Sequence, residues 1–192
     1  MTIGPGMRKG DRTKAAILVA AREAFHQGGF GGSSVRGIAA RAKIDPSMVI
    51  RYFGSKQELF AAAVGVDLDL PDLTQVPKSR HGKVLVEHFV SRWEGEKNDD
   101  VLVMLLRSAM TNEDAAEHLR KVFARQVIGA LRPVVDKSEL RRRSGLITSQ
   151  MLGLAVTRYI LRLPVMAEQS PAQVIRDFSP TIQRYLQGTL PS

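Results

Sequence analysis

Residues 34–53 read SVRGIAARAKIDPSMVIRYF. Ser33 or Ser34 is placed to cap a short helix, because a serine hydroxyl accepts a bond from a free first-turn N–H. Val35, Ile38, Ala39 and Ala42 fall on one side of that helix at helical spacing. Asp45-Pro46 then reads as the N-cap and first turn of a second helix, since proline lacks an N–H that the first turn does not use. Two short helices joined by a turn of about three residues have the layout of a helix-turn-helix. Ala39 and Ala42 are small where two helices must cross closely, and Ile44 and Val49 can fill the gap. Any short helical hairpin could carry this pattern, so the flanks matter.

Upstream, Ile17, Leu18, Ala21, Ala24 and Phe25 recur at helical spacing from Asp11, until Gly28-Gly29 stops the run. Residues 1–10, with Gly4, Pro5, Gly6, Arg8 and Lys9, predict a flexible basic arm. Downstream, Ser55-x-x-Glu58 after Gly54 reads as a capping box that opens a fourth helix over 55–66. Pro71 and Pro77 mark 67–79 as a linker. Amphipathic runs follow at about 80–94, 99–110, 113–131 and 138–163, the last ended by Pro164. Ser170-Pro171 starts a final helix that Ser179-Pro180 is expected to kink or split. Strand alternation and internal repeats are missing, so the expected class is all-α. The expected division is a three-helix domain over 11–54 and a helical bundle over 55–192, with 55–66 as the connecting helix.

Charge separates these parts. Residues 1–56 hold ten Lys and Arg against three Asp and Glu, a net +7, whereas the other 136 residues carry +2 of the total +9. A positive field confined to one segment steers a polyanion toward it, although a basic face can also be merely solvated. The chain has no cysteine, which excludes disulfide frameworks, zinc–cysteine sites and thiol nucleophiles. Its four histidines are scattered, and no catalytic triad, phosphate loop or metal spacing is present, so no catalytic residue, metal or cofactor is expected. Asp67, Asp69 and Asp72 lack the glycine and terminal glutamate of a calcium loop and read as an acidic linker. The longest apolar runs reach about six residues, as in 101–106, far below the ~20 of a membrane span. Arg8, Lys9 and Arg12 precede no apolar core and cleavage site, so a cytoplasmic protein is expected.

The wider stretch 12–64 is more specific. With Ile17-Leu18, Ala20-Ala21, Phe25, Gly29-Phe30, Ser34-Val35, Ile38-Ala39, Ala42, Tyr52-Phe53 and Ser55-Lys56-x-Glu58-Leu59-Phe60, it resembles the DNA-binding domain of the tetracycline-repressor (TetR) family of bacterial regulators. Leu106-Arg107-Ser108-Ala109 and Arg158-Tyr159-x-Leu161-Arg162 resemble an actinobacterial-type C-terminal domain of that family. The resemblance implies that the helix from Pro46 to Tyr52 enters the major groove of double-stranded DNA, presenting Pro46, Ser47, Met48 and Arg51. Arg36 matches a position that reaches a base in some members, and Lys56 follows a phosphate-contacting lysine. Ser33 or Ser34, together with Ser55, would present free helix N–H groups to phosphate. Three positions depart from the usual pattern. Ile50 replaces a common tyrosine, Tyr52 a common histidine, and Lys43 the usual turn glycine, so the phosphate anchor that Ile50 cannot make is either lost or taken over by Tyr52 and Lys43.

For the second domain the resemblance implies a small-molecule site and a homodimer. Candidate effector contacts are His88, Phe89, Trp93, Met104, Arg107, Met110 and Thr157, with Asn112 and Phe123 on neighbouring runs. Candidate dimer contacts are Ile147, Met151, Leu154, Leu161, Ile175, Phe178, Ile182 and Tyr185, with Gly145 and Gly153 permitting close helix approach. The expected function is a ligand-responsive regulator, most simply a repressor released from a palindromic operator. A sequence-indifferent DNA-coating protein and a small helical enzyme are the alternatives. The first would spread its basic residues over the whole chain, and the second would need a catalytic constellation that the residues do not offer.

Overall fold

A computed structural model of the chain describes residues 8–95 and 100–191, the side chains of Lys9 and Asp100 aside. Of the expected basic arm, residues 1–7 lie outside the described residues, and helix already begins at Lys9. Every element among the described residues is helical: α1 (Lys9–Gly32), α2 (Val35–Ala42), α3 (Pro46–Phe53), α4 (Lys56–Ala63), α5 (His81–Glu94), α6 (Asp100–Ala109), α7 (Glu113–Val122), α8 (Ile128–Leu131), α9 (Leu140–Ala155), α10 (Pro164–Ala167) and α11 (Pro171–Gln187). Two 3₁₀ turns, Leu73–Gln75 and Lys78–Arg80, sit in the expected linker, and π turns at Phe123–Val127 and Val156–Ile160 extend α7 and α9.

Local chemistry sets several of these ends. Gly29 takes φ 62° and ψ −174°, which breaks α1 in its last turns, and only glycine adopts such a backbone cheaply. Ser170 and Gln173 close a full capping box on α11. That helix runs unbroken through Pro180, contrary to the expected split. The Ser179 hydroxyl donates to the Ile175 carbonyl one turn back. The helical run of α9 and its π turn stops at Ile160, before Pro164, and Pro164 opens α10 as its first residue.

The chain divides into two compact units, residues 8–66 with 100–120, and residues 67–95 with 121–191. The expected boundary after residue 54 falls inside the first of these units. In the first unit, Phe60 of α4 meets Phe25 and Phe30 edge-on at 4.9 and 5.0 Å, and Arg22 donates to the Ala63 carbonyl at 2.9 Å. α4 therefore belongs to the core of the basic unit, and α6 packs on α1 as well. In the second unit, Leu85, Val86, Val90, Leu131, Ile147, Leu154, Val174, Ile182 and Leu186 form one buried cluster around the crossing of α5 and α11.

Candidate nucleic-acid interface

Each of the three short helices in the basic unit starts with a side-chain cap. The Ser34 hydroxyl accepts from the Gly37 N–H at 3.0 Å, the Asp45 carboxylate from the Ser47 N–H at 2.8 Å, and the Ser55 hydroxyl from the Glu58 N–H at 3.0 Å. Those bonds from Ser47 hold the Asp45 carboxyl below its ordinary pKa, so the cap stays charged. The capping box at Ser55 is only half formed: the Ser55 N–H donates to the Phe53 carbonyl instead. The Glu58 carboxylate lies where a side chain on residue 54 would go, 2.1 Å from a Cβ built there, and Gly54 has φ 79°. Only glycine fits that turn.

Between α2 and α3, Lys43 adopts the left-handed conformation, φ 56° and ψ 46°. Its N–H donates to Ala40 and the Ile44 N–H to Ala39, satisfying the last carbonyls of α2 in a Schellman arrangement. Val49 and Phe53, one turn apart, point into the core and fix the rotation of α3. The opposite side then presents Ser47, Ile50 and Arg51, all exposed and spaced i, i+3, i+4, with Pro46 beside them and Met48 half-buried. Ile50, 46% exposed, stands within this face and is not packed away. Its place there follows from the i, i+3, i+4 spacing of Ser47, Ile50 and Arg51.

The other expected contacts divide. Arg36, Lys43 and Ser34 are exposed. Ser33 is not: it is buried, and its hydroxyl donates to the Ala24 and Gly29 carbonyls at 2.9 and 2.8 Å. It closes the broken end of α1 and is unavailable to phosphate, because its hydroxyl hydrogen is spent on the carbonyls that the kink at Gly29 frees. Tyr52 is half-buried, with its ring 5.4 Å from the Arg51 guanidinium and its hydroxyl near Gly10 at the start of α1. The Lys56 ammonium sits 4.3 Å from the centre of the Phe30 ring. Burial pushes its pKa below the ordinary lysine value, with Asp114 opposing.

The expected effector contacts fall in both units. Met104 and Arg107 of α6, with Met110 in the turn after it, belong to the basic unit, where Met104 is buried and Met110 exposed. His88, Phe89, Trp93 and Thr157 belong to the second unit. His88 Nε2 bonds the Leu68 carbonyl at 2.8 Å and ties down the linker. The Thr157 hydroxyl donates to the Gly153 carbonyl at 2.7 Å. Phe89 and Trp93 do meet, with Tyr159 as an additional member: the Tyr159 ring stacks on Trp93 at 4.7 Å and 8°, and its hydroxyl donates to Glu94 at 2.7 Å. Burial, then this bond to Glu94, raise the Tyr159 pKa, so the phenol stays protonated. Arg158 is buried beside it, paired with Glu94 at 2.9 Å and donating to the carbonyls of Met166 and Gln169. Asn112 caps α7 through the Ala115 N–H, and Phe123 is half-buried in its π turn.

The expected dimer contacts are corrected in part. Ile147, Leu154 and Ile182 lie in the core of their own unit, and Met151 packs against that core. They face inward because burial follows one side of α9, and sequence spacing does not say which side is inner. Leu161 is 61% exposed, while Ile175, Phe178 and Tyr185 keep one edge open. Gly145 and Gly153 lie on the outer side of α9, where a built Cβ meets nothing within 4 Å, so neither serves close packing inside the subunit. Among the described residues no group of three His, Asp or Glu could hold a metal ion. Asp67 and Asp72 instead accept from the backbone N–H groups of Asp69 and Thr74.

Known proteins share this arrangement. The family description "Bacterial regulatory proteins, tetR family" matches residues 17–63, and "Tetracyclin repressor-like, C-terminal domain" matches residues 80–186. The repressor NicS of Pseudomonas putida is 28% identical over 155 residues, 72% of this chain and 68% of NicS. An HTH-type transcriptional repressor of Mycobacterium tuberculosis is 36% identical over 85 residues, 39% of this chain, so the aligned part spans only 45% of that relative's length. The crystal structure of a TetR-family regulator from Streptomyces coelicolor superposes with a TM-score of 0.72 at 28% identity, covering 95% of this chain and 99% of that one. No helix among the described residues is long and apolar enough to cross a membrane. Both halves of the chain carry the family's match, one on the capped three-helix head and the other on the α5–α11 bundle, and on that ground the chain belongs to the TetR family of bacterial regulatory proteins.

Proposed function

We propose that this protein is a transcriptional repressor that binds a palindromic operator as a homodimer and is released by a small-molecule effector. The observation that carries the reading is the outward face of α3: Ser47, Ile50 and Arg51 exposed on a helix whose other side is locked by Val49 and Phe53. Arg51 suits a guanine edge, and Ile50 and Met48 suit thymine methyl groups. The basic excess of the first 56 residues supplies approach and phosphate affinity. Two such helices in a dimer would meet successive major grooves about 34–36 Å apart.

The outer face of α9 supports the dimer. Leu146, Leu152, Val156 and Ile160 are half-exposed there, flanking the open Gly145 and Gly153. A second subunit covering this stripe would bury apolar area that water otherwise meets. In the second unit, the Phe89, Trp93 and Tyr159 cluster offers an apolar wall with one polar edge, suited to a largely apolar effector.

Selection of bound duplexes from a random pool tests the reading. The expected outcome is an enriched inverted repeat, and Arg51→Ala should change the preferred base at one position of each half-site while lowering affinity about tenfold or more. Equal binding to every duplex at low salt would overturn it in favour of a sequence-indifferent coating protein.

A further inference from the structure

The basic unit contains a cleft of about 320 Å³ between the glycine-bearing end of α1, residues 28–32, and the last turns of α6. That volume falls at the lower end of small-molecule sites. Phe25, Phe30 and Met104 give it an apolar wall, and Arg107, Ser108 and Thr111 give it a polar one. No acidic residue lines it, so the one full charge facing the space is the Arg107 guanidinium. Among the described residues Arg107 enters no ion pair.

Ser108 is the decisive feature. It is 5% exposed, yet its hydroxyl has no hydrogen-bond partner. A buried hydroxyl left unpaired is costly, and a bound water, ion or ligand is one way such an atom is satisfied. Here an unpaired donor and an unpaired cation, on neighbouring residues, line the same cleft beside aromatic carbon.

We propose that this cleft binds a small organic carboxylate with an apolar body of about one aromatic ring. The ring would lie against Phe30 and Met104, and the carboxylate would accept from the Arg107 guanidinium and, after a small shift of the Gly29 turn that covers it, from the Ser108 hydroxyl. The site is separate from the aromatic cluster of the second unit, and its chemistry stands without the repressor reading. Its consequence rests on that reading: Ser33 ties the end of α1 to the start of α2 through the Ala24 and Gly29 carbonyls. An anion gripped beside residues 28–32 would therefore bias the placement of the helix-turn-helix and change operator affinity.

The test titrates sodium benzoate, with benzamide as its uncharged analogue, into the full ¹⁵N-labelled chain. Saturable shifts are expected at the amides of residues 28–32 and 103–111, with benzamide at least about tenfold weaker. Arg107→Ala should weaken benzoate about tenfold or more. Ser108→Ala should weaken it too while leaving the melting temperature equal or higher, because it removes an unpaired buried hydroxyl; a purely structural role would do the reverse. No saturable shift up to ~10 mM benzoate, equal binding of benzamide, or an unaltered Arg107→Ala variant would overturn the proposal. Operator selection uses the ligand-free protein, so its failure is read separately.

Discussion

The Lys56 ammonium rests 4.3 Å from the centroid of the Phe30 ring, so the lysine at the start of α4 reports on the end of α1. A desolvated cation on an aromatic face has a preset direction, unlike a lysine waving in solvent. On the proposed role of Lys56 as a phosphate contact, Lys56→Ala is expected to weaken all duplexes alike, reducing the slope of log affinity against log salt by about one. Fluorescence anisotropy at several salt concentrations checks this. A change in base preference would place Lys56 in a different role.

Lys43 holds φ 56° at the turn between α2 and α3. A non-glycine residue there is strained by about 1–2 kcal/mol, and glycine's larger unfolded-state freedom returns part of that. Lys43→Gly should stabilise the protein by about 0.5–1 kcal/mol, seen as a higher urea midpoint with an unchanged slope. Lys43→Ala keeps the strain and removes only the charge. Comparing the two on DNA separates a phosphate contact from a backbone effect.

Gly82 sits where α5 crosses α11, and a Cβ there would lie 2.5 Å from the Gln183 nitrogen and 2.6 Å from the Ser179 oxygen. Both are backbone atoms, so the helices themselves must separate. Gly82→Ala should cost about 3 kcal/mol and lower the urea midpoint. Gly145 on α9 is the contrasting case, with open space at its Cβ. Gly145→Arg should leave the subunit folded by circular dichroism yet turn a dimer into a monomer in sedimentation, if the outer face of α9 is the interface.

Arg158 is nearly buried and serves Glu94 together with the carbonyls of Met166 and Gln169. Removing the arginine takes the cation from Glu94, which keeps the Tyr159 hydroxyl, and leaves the Met166 and Gln169 carbonyls of the turn that leads to α11 without their donor. Arg158→Ala should therefore cost about 3 kcal/mol or more, while Glu94→Gln, which keeps one acceptor, should cost less. Thermal unfolding of the two variants distinguishes them: a much larger loss for Arg158→Ala would mean that the turn carbonyls dominate, and equal losses that the pair with Glu94 does.

Much of the recognition head was legible because its signals are local. Ser34, Asp45 and Ser55 each cap the helix they precede, and Val49 with Phe53 set the inner side of α3 within one turn. The effector and dimer candidates were less legible for the opposite reason. Trp93 and Tyr159 stack although 66 positions separate them, and Ile147 and Met151 look as suited to a partner as Leu152 and Val156 until the core claims one side. Ser33 and Ser34 are adjacent serines with equal capping propensity, and only the kink at Gly29 draws Ser33 inward.

The amino-acid order alone determined that this chain is helical and where its short helices begin, since bonds between a residue and its neighbours two to four positions away decide both, and it set which segment carries the positive charge, which is a matter of composition. Folding in three dimensions decided that α4 and α6 join the basic unit, that α9 turns Gly145 and Gly153 outward, and that Ser108 faces a cleft with its hydroxyl unpaired. Those outcomes depend on which distant surfaces exclude water together, and no single stretch of sequence contains that information.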